Sequence, residues 1–94
     1  IYNGLHLEGK MAYVFEKMQS VKPTYAVSSA VHTNRLIVSP EFENIYDPHI
    51  WFDVSLWKEV VQFIAQLLCR HNPISTEFYN SQAKIYLKEL DDLE

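Results

Sequence analysis

The groups in this chain able to ligate a metal or move a proton are four histidines, one cysteine and scattered carboxylates. His71 sits where a helical pattern runs out, and an imidazolium there suits the negative end of the helix dipole. His32 lies in a loop with no paired ligand beside it and reads as exposed, although a loop at the carboxyl end of a strand is where α/β sites form. His6 and His49 differ from both. His6 falls at a turn that leads into a helix. His49 follows Asp47-Pro48, whose proline fixes the backbone, and precedes Trp51-Phe52-Asp53 and a second helix. The aromatic pair is expected to shield the imidazole. Two histidines on loops at one sheet edge can converge on one ion, zinc by preference, or manganese or iron where carboxylates complete the shell. Their spacing matches no metal motif, so by spacing alone they are two unrelated loop histidines.

Other chemistries fit less well. Cys69 falls within an apolar helical pattern and reads as a packing residue. Ser28 and Ser29 lack the glycine context of a strained nucleophile. The only glycines, Gly4 and Gly9, cannot form a phosphate-binding loop. Asp91-Asp92 reads as a solvated helix face. Glu8, near His6, reads as a first-turn carboxylate suited to the helix dipole; as a general base beside a metal it would instead make the protein a hydrolase.

The elements that must position these residues follow from turn signals and periodicity. Asn3-Gly4 marks a turn. Leu7, Met11, Val14, Phe15 and Met18 then predict an amphipathic helix of about three turns, stopped before Pro23. Thr24 to Val31 reads as a short strand, Leu36 to Val38 as a brief strand or ordered loop, and Ser39 to Pro48 as acidic and irregular. Trp57, Val60, Val61, Ile64, Leu67 and Leu68 predict a helix, widened by Leu56 and Phe63, capped by Asp53 or Ser55 and ended by Asn72-Pro73. This helix is expected to be substantially buried. A third helix, capped by Ser75, carries a narrow stripe of Tyr79, Ala83, Tyr86, Leu90 and Leu93. That run is too short for a coiled coil alone, so it is expected to pack against an absent partner, with self-association as the other outcome. The order helix, strand, loop, helix gives an α/β class. Ile1 opens directly into a turn and Leu90 to Glu94 stays in helical register, so the chain reads as a piece of a larger protein.

Composition narrows the function further. The 94 residues bound one small domain or part of one, and 48% hydrophobic with 14% aromatic residues argues against disorder. Eight basic against twelve acidic residues, with no basic cluster, disfavours nucleic acid as a partner. A single cysteine excludes an intrachain disulfide and a cysteine-rich zinc site. No apolar run is long enough to span a bilayer.

Two segments carry a resemblance. Tyr2-Asn3-Gly4-Leu5-His6-Leu7-Glu8-Gly9-Lys10-Met11 resembles the first metal-ligand segment of the zinc, manganese and iron solute-binding proteins of ABC importers. Tyr46-Asp47-Pro48-His49-Ile50-Trp51-Phe52-Asp53-Val54 resembles the second, an Asp-Pro-His-x-Trp motif opening a helix. The strand between them, and the run from Asn72-Pro73 through Tyr79, Tyr86 and Leu90, also resemble that family. The resemblance implies a two-lobe α/β protein with a long connecting helix. Residues 1–72 would be part of the amino-terminal metal-binding lobe and residues 73–94 the start of the interlobe helix. His6 and His49 would be two ligands of a four-ligand site, with a His or Glu and an Asp from the missing carboxyl-terminal lobe. The stretch from Val31 to Tyr46 lacks the histidine-rich loop of some zinc members, offering only His32, Glu41 and Glu43. The implied function is extracytoplasmic capture of Zn, Mn or Fe, as cargo with no organic cofactor, and delivery to an ABC permease. Such a protein is periplasmic or lipid-anchored outside the cytoplasmic membrane and is not an enzyme. The alternative is an adhesion or interaction protein on the same fold. Asp47 and Asp53 are both candidates to accept the other ring N–H of His49.

Overall fold

The computed structural model describes residues 1–41 and 45–94; Glu43 lies outside the described residues. Two compact units divide the chain, Ile1–Ile50 and Trp51–Glu94. No helix among the described residues is long and apolar enough to cross a membrane.

Among its described residues the first unit holds one α-helix, α1 (Met11–Met18), and little regular structure besides. The expected three-turn helix starts one turn late, because Gly4, Leu5, His6 and Gly9 all have positive φ (90°, 55°, 63° and 57°) and no right-handed helix runs through them. The face turned inward also differs from the expected stripe. Ala12 is buried and Phe15 stacks on Tyr2 with ring centroids 4.8 Å apart, whereas Leu7, Met11 and Val14 keep roughly half their surface exposed. Tyr2 draws the Phe15 edge inward and so rotates the packed side away from Met11.

The strand expected over Thr24 to Val31 is a single parallel bridge, Tyr2 with Ala26, followed by a 3₁₀ turn at Val27–Ala30. Its backbone is satisfied by Tyr2 and Asn3: Tyr2 N–H donates to Tyr25 C=O, and the Val27 and Ser28 N–H groups donate to Tyr2 and Asn3 C=O. The left-handed turn at Gly4 carries the partner chain away after that, so no ladder can extend. A second bridge, antiparallel, pairs Val38 with Tyr46, with Asp47 N–H donating to Ile37 C=O at 2.7 Å. His32 is exposed, as expected, and its ring accepts from Asn34 N–H at the head of a 3₁₀ turn, Thr33–Arg35.

The second unit is an antiparallel helical hairpin of α2 (Val54–His71) and α3 (Thr76–Leu93). Asp53 caps α2, its carboxylate accepting from the N–H groups of Ser55 (2.9 Å) and Leu56 (3.3 Å). Arg70 and His71 occupy the last turn, where cations meet the helix dipole. Leu56, Val60, Ala65 and Leu67 are buried, while Leu68 stays exposed, so the helix is less fully covered than its broad apolar face suggested.

The α3 stripe has a partner in the chain itself. Leu90 is buried, Tyr86 accepts a hydrogen bond from Trp57 Nε1 at 3.2 Å, and Lys58 pairs with Asp91 and Glu94. Asp91 is thus an ion-pair member and not simply a solvated carboxylate. Ser75 makes no side-chain cap; a 3₁₀ turn, Pro73–Ser75, leads in, and Thr76 Oγ1 donates to Pro73 C=O. Cys69 is half-buried with its sulfur near Thr76 C=O and Asn80 Oδ1, in keeping with a packing role.

Candidate functional site

His6 and His49 line one open cleft of about 520 Å³ within the first unit, together with Leu5, Glu41, Tyr46 and Asp47. His32 and His71 are not among its lining residues. The two loop histidines are therefore brought together by the fold, although nothing in their spacing required it.

His6 is presented by an unusual backbone. Leu5 and His6 are non-glycine residues in the left-handed region, a conformation that costs about 1–2 kcal/mol for each. Gly4 opens the turn at φ 90° and is buried; a Cβ there would collide with Ser28 Oγ and press Ala26 Cβ at 3.0 Å. Only glycine meets both demands. The turn closes through Leu7 N–H to Gly4 C=O (3.1 Å) and Gly9 N–H to His6 C=O (3.0 Å).

Glu8 holds it from within. One carboxylate oxygen accepts from Asn3 N–H at 2.6 Å and from Gly4 N–H at 3.2 Å, and the other lies 3.3 Å from the same Gly4 nitrogen. Neither expected use of Glu8 matches this: it precedes α1 and does not sit in its first turn, and its carboxylate is engaged by backbone donors. Charge-assisted bonds of this kind are stronger than neutral ones and offset part of the strain at Leu5 and His6.

His49 is held by Asp47. One Asp47 oxygen accepts both the His49 backbone N–H (2.9 Å) and its ring Nδ1–H (2.6 Å). The backbone bond first, and the ring bond second, keep the Asp47 carboxyl below its ordinary range, so it is ionised at neutral pH and can only accept. That fixes the His49 tautomer with hydrogen on Nδ1 and the lone pair on Nε2. Of the two carboxylates considered from sequence, Asp47 does this and Asp53 caps α2. The His49 side chain keeps 49% of its surface exposed, so its imidazole is less enclosed than expected. Within the second unit, the rings of Trp51 and Phe52 lie 5.8 Å apart.

The two segments are also tied to each other. The Asn3 side-chain amide donates to Gly4 C=O and to Pro48 C=O, both at 3.0 Å. Sequence reasoning read Asn3 only as a turn residue and missed this link. A carboxylate four residues after a glycine turn, with a second glycine following, is the signal that could have exposed the Glu8 part of it.

Among the described residues no three His, Cys, Asp or Glu side chains are grouped closely enough to hold an ion by themselves. Two imidazoles lining one cleft offer at most two nitrogen donors, fewer than the roughly four that a zinc site takes.

Comparison with known proteins follows the same line. The family described as zinc-uptake complex component A, periplasmic, matches residues 1–94. A zinc-binding protein, TroA, from Treponema pallidum is 37% identical over the whole chain, and a manganese-binding lipoprotein, MntA, from Bacillus subtilis is 36% identical over the same length. An iron-binding protein, YfeA, from Yersinia pestis is 27% identical. The chain covers 30% of each of these relatives, so it spans about a third of their length. The solved structure of the Treponema periplasmic zinc-binding protein superimposes with a TM-score of 0.89 over 98% of this chain and 32% of that one. These likenesses bear out the resemblance carried by the two motif segments and the α/β class it implied.

Proposed function

Because the chain belongs to the zinc-uptake component A family of metal-binding solute-binding proteins, which are not enzymes, we propose that it supplies two imidazole ligands, His6 and His49, to a transition-metal capture site. In this reading residues 1–72 form part of an amino-terminal lobe, and residues 73–94 begin the helix that joins it to a second lobe carrying the other ligands. The cargo is Zn, Mn or Fe, in line with relatives named for each of the three. Delivery is to an ABC permease, from the periplasm or from a lipid anchor outside the cytoplasmic membrane, as the names of the family and of MntA suggest.

The observation that supports this most is the shared cleft lined by both imidazoles, one already bonded through Nδ1 to a carboxylate. A metal on His49 Nε2 would keep that bond, and Asp47 would hold the ring's orientation. An exposed two-histidine pair suits capture and release: it offers strong donors without enclosing the ion.

The test is calorimetric titration of the full-length protein with zinc and with manganese, alongside His6→Ala and His49→Ala. Each substitution is expected to weaken binding at least a hundredfold. Unchanged affinity in both would overturn the reading.

A further inference from the structure

We propose that Asn3 and Glu8 are positioning residues that set the separation and mutual orientation of His6 and His49, and so the fit of the pair to a metal ion. The inference rests on the reading above, that the two imidazoles are ligands, and goes beyond it by naming what holds them in register.

The first unit has little else for this task. Its strand-type pairing among the described residues is two isolated bridges, and neither connects the His6 turn to the His49 segment. Tyr2 and Asn3 are bound to the Tyr25–Ser28 stretch, and Asp47 is bound to Ile37. A direct bond between the two histidine segments runs from Asn3 Nδ2 to Pro48 C=O.

Both hydrogens of that amide are used. One goes to Gly4 C=O, two residues before His6, and the other to Pro48 C=O, immediately before His49. A planar amide has fixed hydrogen directions, so it holds two carbonyls at a set separation as well as near each other. Glu8 then fixes the amide's own backbone: its carboxylate binds the N–H of Asn3 and of Gly4, closing a loop around Leu5, His6 and Leu7. The left-handed turn and the cross-link thus share one residue, Asn3. A shift at Glu8 reaches His49 through Asn3, without any contact between Glu8 and the ion.

The chemistry of the clasp makes a sharp demand on residue type. Asparagine donates twice at this point, whereas aspartate is acceptor-only and would set a negative charge against two carbonyl oxygens. Glutamate at 8 accepts from two backbone donors as an anion; glutamine can accept with its one oxygen but turns its amide donors on the same N–H groups.

The experiment uses the full-length protein, with cobalt(II) as a visible probe of coordination and zinc as competitor. Asn3→Asp, Asn3→Ser, Glu8→Gln and Glu8→Ala are compared with His6→Ala and His49→Ala. Asn3→Asp and Glu8→Ala are expected to lower cobalt affinity about tenfold to a hundredfold, the usual range for groups that orient ligands, and to shift the cobalt absorption bands. Asn3→Ser, too short to bridge both carbonyls, should show the same band shift. Glu8→Gln should recover part of the affinity lost in Glu8→Ala. Melting of the metal-free protein is measured beside each.

If Asn3→Asp and Asn3→Ser both bind cobalt with unchanged affinity and spectrum while the histidine variants do not bind, the clasp is overturned and the ligand assignment stands. If affinity falls only in step with the metal-free melting temperature, with an unshifted spectrum, Asn3 and Glu8 are merely structural and the proposal fails. If the histidine variants themselves bind as well as the parent, the ligand reading fails first.

Discussion

The two units are held by different means. In Trp51–Glu94, α2 and α3 satisfy their own backbones, and side chains are left to pack: Val60 is fully buried, and Leu56, Leu67 and Leu90 nearly so. In Ile1–Ile50 the backbone departs from regular structure around both histidines, and side chains of Asn3, Glu8 and Asp47 take over the hydrogen bonding. Regular helices suit a scaffold because any residue of the right hydrophobicity fills a position. A turn that must aim an imidazole needs particular residues, each with a particular donor or acceptor.

That contrast can be broken at its strongest point by Gly4→Ala. The added methyl meets Ser28 and Ala26 and forces a positive φ on alanine, so a loss of about 2–4 kcal/mol is expected in denaturant unfolding. Metal affinity should fall with it. An unchanged unfolding midpoint would show that the turn is not fixed by Gly4.

Val60→Ala makes the opposite test. It removes two buried methyl groups from α2 and should cost about 2 kcal/mol, with cobalt affinity and spectrum of the folded protein kept. A shifted cobalt spectrum would mean that helix packing also tunes the histidine pair, and the division of labour would not hold.

Asp53→Ala is smaller. Losing the carboxylate that accepts from Ser55 and Leu56 should cost about 1 kcal/mol, read as a lower melting temperature. Asn at this position should restore most of it.

The smallest effect is on the alkaline side. The bond to Asp91, helped by Glu94, raises the Lys58 pKa above its ordinary 10.5. A raised folded-state value means that the contribution is fully present below the ordinary value and is lost as pH rises through the raised one. Lys58→Met should therefore remove a slight alkaline loss of stability and change little at neutral pH, as expected for an exposed pair. A large neutral-pH effect would contradict this.

Much of the second unit was legible because helical periodicity is a repeated signal: Trp57 through Leu68 restate one pattern several times. Asp53 added a cap of the expected type. The first unit offered single signals, each with more than one meaning. Asn3-Gly4 announced a turn without telling its hand, and Gly9 was passed over, so Leu7 was counted into a helix that begins at Met11. Thr24 to Val31 has strand-like residues, but a strand needs a neighbour that stays beside it, and the chain before it turns away at Gly4. His6 and His49 were singled out only through the words around them, since whether two loops line one cleft is a property of the fold. Glu8 was misread because its partners are two backbone N–H groups upstream, hinted at only by its place between Gly4 and Gly9.

Asn3-Gly4 has one more consequence, and it concerns ageing. An asparagine followed by glycine is prone to lose its side-chain ammonia spontaneously: the glycine nitrogen attacks the asparagine amide carbon, a succinimide ring closes, and water opens it to aspartate or isoaspartate. Here the attacking nitrogen is hydrogen-bonded to Glu8 and the amide is fastened to two carbonyls. In the folded turn both reacting groups are thus occupied in these bonds. Each excursion to the unfolded state releases them, so the damage accumulated at residue 3 becomes a chemical record of how long the chain has spent unfolded.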